Sequence, residues 1–276
     1  MHAIVAIKQV PDTTVMRIDP ETGSLIREGV PAIMNPYDLH ALEAAVRLKE
    51  EHGGKVTVVS MGPPKAREAI AEAVEQGADR GVLITDRRFA GADTWATSLV
   101  LATVIKAIDE QDRVDILFFG KQAIDGDTAQ VGPGVATRLG VPLITYAVAI
   151  EEFDPEAGLA VVHRRTERGI EVLRTALPAL LTVEKEIAPV RFAPLPYLIR
   201  AATYEPKVWT SESPIPFDAD TIGLRGSPTR VAKAYTPPPK EPGERIVVAN
   251  KGLHEAVASA WERIAPHVVE SEGGDR

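Results

Sequence analysis

The chain has 276 residues, 45% of them hydrophobic and 25% charged, with a net charge of −8 and a pI near 5.4. That length allows one large domain, or one domain with an extended tail, and the acidic balance argues against general nucleic-acid or anionic-membrane binding. Cysteine is absent, which excludes disulfides, thiolate metal sites and a cysteine nucleophile.

No apolar run reaches the ~18 residues of a transmembrane helix, so no transmembrane segment is expected. The N-terminal residues enter a strand-like run rather than a secretory leader, and the expectation is a soluble cytoplasmic protein. Ala3 to Lys8 reads as a buried strand, and residues 16–27 as a hairpin around Pro-Glu-Thr-Gly. Asn35-Pro36 precedes a helix from Leu39 to Glu50, whose Leu42, Ala45, Val46 and Leu48 form an apolar stripe. Lys55 to Ser60 is a second strand, followed by Met61-Gly62 and a helix over 65–76. Arg80 to Thr85 is a third strand, and Ala92 to Asp109 a long helix.

Val114 to Gly140 is the most informative stretch. Its apolar run ends at Gly120, a polar turn follows, and a helix opens near Gly132-Pro133-Gly134. A loop between the carboxyl end of a parallel strand and a helix N-terminus is where α/β sheets hold nucleotides. The turn Asp125-Gly126-Asp127-Thr128-Ala129-Gln130 fits that use. It equally fits an ordinary turn whose Asp and Thr cap the next helix. Asn35 has the same two readings, a helix cap or a partner for a base edge.

Alternation of strands and helices argues a doubly wound, mostly parallel α/β sheet over residues 1–140. Leu143 to Ile150, Gly158 to Thr166, Ile170 to Ala176 and Ala179 to Glu184 read as strands of an antiparallel extension. Arg191 to Arg200 mixes apolar and basic residues without a clean period. Residues 203–245 hold many of the prolines and read as an irregular arm, and Gly252 to Val268 as an amphipathic helix. There is no Gly-x-Gly-x-x-Gly, no Walker motif and no nucleophile elbow. The six histidines show no metal spacing and read as surface or packing residues. No catalytic residues or metal site are expected.

Four blocks carry a resemblance: Ala6 to Asp12, Met34 to Asp38 with Glu43 to Glu50, Gly77 to Gly81, and Gly120 to Asp127. Together they resemble the electron transfer flavoprotein beta subunit, in order from residue 1 to about 200. The resemblance implies an adenine-nucleotide-binding α/β domain over 1–200, and a C-terminal arm over 201–276 that wraps an alpha subunit. It implies docking of a partner dehydrogenase or quinone reductase near Arg191 to Ala201. It places cofactor contacts at Ala6, Asn35, Pro36, Tyr37, Met61, and the loop Asp125, Gly126, Asp127, Thr128, Ala129, Gln130, Val131 and Gly132, running on to Ala136.

In ordinary members of that family the beta site holds a structural AMP. In electron-bifurcating members it holds a second FAD, which takes a hydride from NADH and sends one electron to each of two acceptors. The loop DGDTAQVGP resembles the bifurcating group. Gly126 and Gly132 would remove side chains where a second phosphate lies. Arg164, Arg165 and Arg168 read either as exposed hairpin residues or as charge partners of an isoalloxazine. A stand-alone nucleotide-binding α/β homodimer is the reading outside the family.

Overall fold

The computed structural model describes residues 1–12, 17–18, 25–26, 31–230, 246, 248 and 252–272. Residues 1–234 form one compact unit and 235–276 a second. The first is built on a nine-stranded sheet. In chain order its strands are β1 (His2–Ala6), β6 (Lys55–Met61), β7 (Arg80–Ile84), β8 (Ile116–Gly120), β9 (Leu143–Asp154), β10 (Leu159–Thr166), β11 (Gly169–Ala176), β12 (Ala179–Val183) and β13 (Lys207–Trp209). Four short strands make two small ladders: β2 (Gln9–Pro11) with β5 (Ala32–Met34), and β3 (Arg17–Ile18) with β4 (Leu25–Ile26). The second ladder agrees with the expected hairpin, whose turn lies outside the described residues.

The spatial order is β11-β10-β9-β12-β8-β1-β6-β7-β13. All neighbouring pairs from β9 to β13 are parallel, and the antiparallel pairs are β9–β10 and β10–β11. The helices are α1 (Pro36–His52), α2 (Arg67–Glu75), α3 (Thr94–Gln111), α4 (Val131–Leu139), α5 (Leu195–Ala201) and α6 (Leu253–Glu272). Strand β1 shows why both faces need cover, since all five of its residues are buried. Ala3, Val5 and Ile7 belong to the core with α1 and α2, while Ile4 and Ala6 belong to the core with α3 and α4. The expected doubly wound sheet is the observed one.

Three expectations are corrected. The extension is not wholly antiparallel, because β12 inserts between β8 and β9 and runs parallel to both. All five of its residues are buried, as an interior strand requires. Helix α1 begins at Pro36 rather than Leu39, because proline's missing N–H costs nothing at a first helical position. Within 203–245, residues 207–209 form β13 on the β7 edge, and Trp209 and Ile222 are buried in the α3/α4 core. Residues 231–245 lie outside the described residues. No helix among the described residues is long and apolar enough to cross a membrane.

Gly81 shows how closely α2 packs on the sheet. A Cβ there would lie 2.2 Å from Ile70 Cγ2, a branch of a fully buried side chain that cannot swing aside. At Gly126 an added Cβ meets nothing within 4 Å. Gly81→Ala is expected to cost about 1–3 kcal/mol in denaturant unfolding, and Gly126→Ala less than about 0.5 kcal/mol. Equal stability of the two variants would remove the steric account.

Candidate functional site

The connections after β1 and β8 leave the sheet on opposite faces: α1 packs on one side and α4 on the other. Such a reversal opens a crevice at the carboxyl ends of the two strands, the usual ligand position in doubly wound sheets. The crevice is bordered by Ile7 and Lys8 after β1, by Met61 at the end of β6, by residues 34–38, and by the loop 121–130.

Asn35 joins two of these borders. Its Nδ2 donates to the Gln122 carbonyl and to Asp38 Oδ1, both at 2.9 Å, and its Oδ1 accepts from the Ile124 N–H at 3.2 Å. The side chain is buried at 1% exposure and does not cap α1. The capping reading of Asn35 therefore gives way. Its amide donors are both spent inside the protein and its oxygen accepts one N–H, holding the loop after β8 to the start of α1. The Lys8 N–H donates to Asp38 Oδ2 at 2.8 Å, and the Asn35 N–H donates to the Lys8 carbonyl at 2.8 Å. This close approach requires Gly120. A Cβ there would fall 2.2 Å from Asp38 Oδ1 and 2.7 Å from Tyr37 Cβ.

The loop's two carboxylates are already engaged. Asp125 pairs with Lys8 Nζ at 2.7 and 2.8 Å, and Asp127 Oδ1 accepts from Gln122 Nε2 at 2.7 Å. Neither caps α4, so the plain capping turn is not what forms. Gln130 is the N-cap residue, and its side chain makes no cap bond; its Oε1 accepts from Thr94 Oγ1 at 2.8 Å. The first-turn N–H groups of α4 are left without a side-chain cap. Asp127 and Ala129 both have left-handed φ, +51° and +54°, which turns the loop sharply before the helix.

An anion suits this place. The uncapped first turn of α4 offers N–H donors and the positive end of a dipole. Open space lies beyond Gly126. Gly132 behaves differently. A Cβ on it would meet Thr182 Cγ2 at 2.6 Å and Phe119 Cβ at 3.4 Å, so this glycine lets α4 pack on the sheet instead of clearing room for a phosphate. Ala6, Met61, Phe119 and Val131 belong to one apolar cluster on the α3/α4 face. Pro36 and Tyr37 open α1, whereas Gly126, Asp127 and Thr128 are exposed on the rim and Ala129 is half-buried. Among the described residues no group of His, Asp or Glu could hold a metal.

A profile described as "Electron transfer flavoprotein domain" matches residues 22–211. Among curated relatives, "Protein FixA" of Azotobacter vinelandii is 46% identical over 260 residues, covering 94% of this chain and 92% of that one. "Electron transfer flavoprotein subunit beta" of Clostridium acetobutylicum is 46% identical over 258 residues, covering 94% and 95%. "Caffeyl-CoA reductase-Etf complex subunit CarD" of Acetobacterium woodii is 46% identical over 247 residues, covering 89% and 92%. The chain belongs to the electron transfer flavoprotein family, among its beta subunits.

In this electron transfer flavoprotein chain, several site residues carry no sequence signal of their own. Lys121 Nζ lies 5.8 Å from the Tyr37 ring centre and 5.2 Å from that of Tyr146, and it pairs with Glu184 at 3.1 Å. The Glu184 bond holds the Lys121 ammonium above its ordinary pKa. Tyr146 has φ +56°, at an irregularity in the β9–β12 ladder. Arg164 and Arg165 pair with Glu171 and Glu186 at 3.8 and 3.1 Å, and Arg168 is exposed at the hairpin turn.

Asp38 is the buried charge of the site. Burial pushes its carboxyl up from 3.8 to about 7, against the pull of the Asn35 amide and the Lys8 and Gly120 N–H groups. Its proton is bound more tightly folded than unfolded. Its contribution to stability is therefore complete below pH 3.8 and is lost as pH rises through about 7. Asp38→Asn is expected to reduce the fall in unfolding free energy between pH 5 and 7 by as much as about 1.4 kcal/mol per pH unit. The check is denaturant unfolding of both proteins across that range. An unchanged slope would mean that Asp38 stays ionised in the folded protein.

Proposed function

We propose that this chain is the beta subunit of a heterodimeric electron transfer flavoprotein, that it binds FAD at the β1/β8 crevice, and that the complex works by flavin-based electron bifurcation. The observation that carries this reading is the loop Asp125 to Gly132, which crosses the crevice into an uncapped helix N-terminus with open space at Gly126. The similarity to a subunit named for a caffeyl-CoA reductase-Etf complex supports it. FAD, when bound, supplies two-electron acceptance from NADH or a dehydrogenase and one-electron delivery to acceptors. The chain's own part is to bind and orient. First-turn N–H groups of α4 hold phosphate, and Ala6, Met61 and Val131 form an apolar wall. Asn35, Pro36 and Tyr37 fix the opposite wall, and the Lys121 ammonium supplies positive charge at the carboxyl edge.

A second reading keeps the family and makes the nucleotide a structural AMP. It is favoured by Gly132, whose lack of a side chain is accounted for by Thr182. In either case we assign the segment 201–276 to the contact with the alpha subunit, and the cytoplasm as its compartment. We assign residues 191–201 to docking of a partner dehydrogenase or quinone reductase. Phe192, Leu195, Leu198 and Ile199 are exposed there. Arg191 ties the segment to Glu43 at 2.8 Å and to Glu50 at 2.5 Å, and Arg200 ties it to the Ala78 carbonyl at 2.5 Å.

The test is to co-express the chain with its alpha subunit, denature the purified complex and quantify released nucleotides. About two FAD and no AMP per heterodimer support the bifurcating reading, and about one of each makes this chain a scaffold. Gly126→Glu is expected to lower nucleotide occupancy without loss of fold, because it puts a carboxylate on the open face of the loop. Full occupancy in that variant would exclude the loop from the site.

A further inference from the structure

We infer that Lys8 is a cationic ligand for a nucleotide phosphate in the β1/β8 crevice, and that Asp125 holds it in reserve through an ion pair that opens when the phosphate enters. This rests on the nucleotide reading above. The main chain at Lys8 is fixed at both ends: its N–H donates to Asp38 at 2.8 Å and its carbonyl accepts from Asn35 at 2.8 Å. Among the described residues its side chain is held only by Asp125, and it is 47% exposed, against 30% for Asp125. The pair bridges the crevice, from the residue after Ile7 to the loop after β8, 117 positions apart.

The energetics favour exchange. An ion pair so open to water is weak and readily broken. A phosphate offers more charge and more acceptor oxygens to the same ammonium than a carboxylate does. Asp127 is differently engaged, since it accepts from the neutral Gln122 amide. Among the described residues, Lys8 makes the one ion pair to residues 125–132. Releasing it leaves Asp125 in water, where a carboxylate carries little penalty, and delivers a positive charge into the crevice.

The experiment is a double-mutant cycle on the full chain, purified with its alpha subunit and stripped of nucleotide. AMP, ADP and FAD are titrated by calorimetry into the wild type, Lys8→Met, Asp125→Asn and the double variant. Lys8→Met is expected to weaken each ligand ~10-fold, the size of a lost charge-assisted hydrogen bond. Asp125→Asn is expected to tighten them ~3-fold, as befits release of an exposed pair. The gain from Asp125→Asn is expected to vanish in the Lys8→Met background, because it acts only by freeing Lys8. Additive effects would overturn the proposal, since Asp125 would then repel the ligand directly. Unchanged affinity in Lys8→Met, with normal uptake by the wild type, would overturn it while leaving the nucleotide site intact. A wild type that takes up none of AMP, ADP and FAD would overturn the nucleotide reading, and this inference with it.

Discussion

The crevice depends on one arrangement: the buried Asn35–Asp38 pair held against the end of β8. Asn35 spends its amide on the Gln122 carbonyl, the Ile124 N–H and Asp38. Asp38 in turn accepts from the Lys8 N–H. Residues after β1, the start of α1 and the loop after β8 are thereby fixed to one another by buried polar bonds. Leaving any of these groups unpaired costs about 1–3 kcal/mol. The arrangement exists only because Gly120 has no side chain, since a Cβ would occupy the space of the Asp38 carboxylate. A carboxyl with 6% exposure, raised toward neutrality by burial, is the cost of that closeness.

Most of the strands were legible in the sequence for a simple reason. An interior parallel strand is buried on both faces, so it appears as an unbroken apolar run. Ile4-Val5-Ala6 and Leu117-Phe118-Phe119 are of this kind. The place of β12 was not legible. Its residues Ala179 to Val183 look like any buried strand, and nothing local says that the chain returns past a hairpin to lie between β8 and β9. Helix α5 was hidden for the opposite reason. Leu195, Leu198 and Ile199 are exposed and only Ala201 is buried, so no apolar stripe marks the helix.

The site was legible as a set of positions rather than as a set of roles. The resemblance pointed to the loop after β8 and to Asn35, and the fold brings them to one crevice. What each side chain does there is decided by partners far along the chain. Asn35 meets Gln122, 87 positions away, and Gly132 meets Thr182. Acidic residues in a first helical turn ordinarily read as dipole partners. Asp38 carries that pattern, and its burial follows from Gly120, which local sequence does not place beside it. Two carboxylates in the loop would ordinarily repel an anion. Lys8 neutralises Asp125 in the structure, whereas Asp127 has only the neutral Gln122 amide as partner.

Rigid and yielding parts are separated within a few residues. Asn35 and Asp38 are buried and fully bonded, whereas Asp125 to Thr128 stand on an exposed rim. An exposed rim over a fixed floor lets the loop adjust to an entering ligand without disturbing the β1–β8 pairing beneath it. The left-handed residues are Asp127 on that rim and half-buried Ala129 just after it. Each such non-glycine residue carries a strain of about 1 kcal/mol or more, which surrounding contacts must offset. Only Asp127 has a side-chain partner there, the Gln122 amide, and Gln122 is itself held through its carbonyl by Asn35. The shape of the exposed loop is thus transmitted from the buried amide by one intervening residue, which is why a polar group under the sheet's edge governs a surface turn.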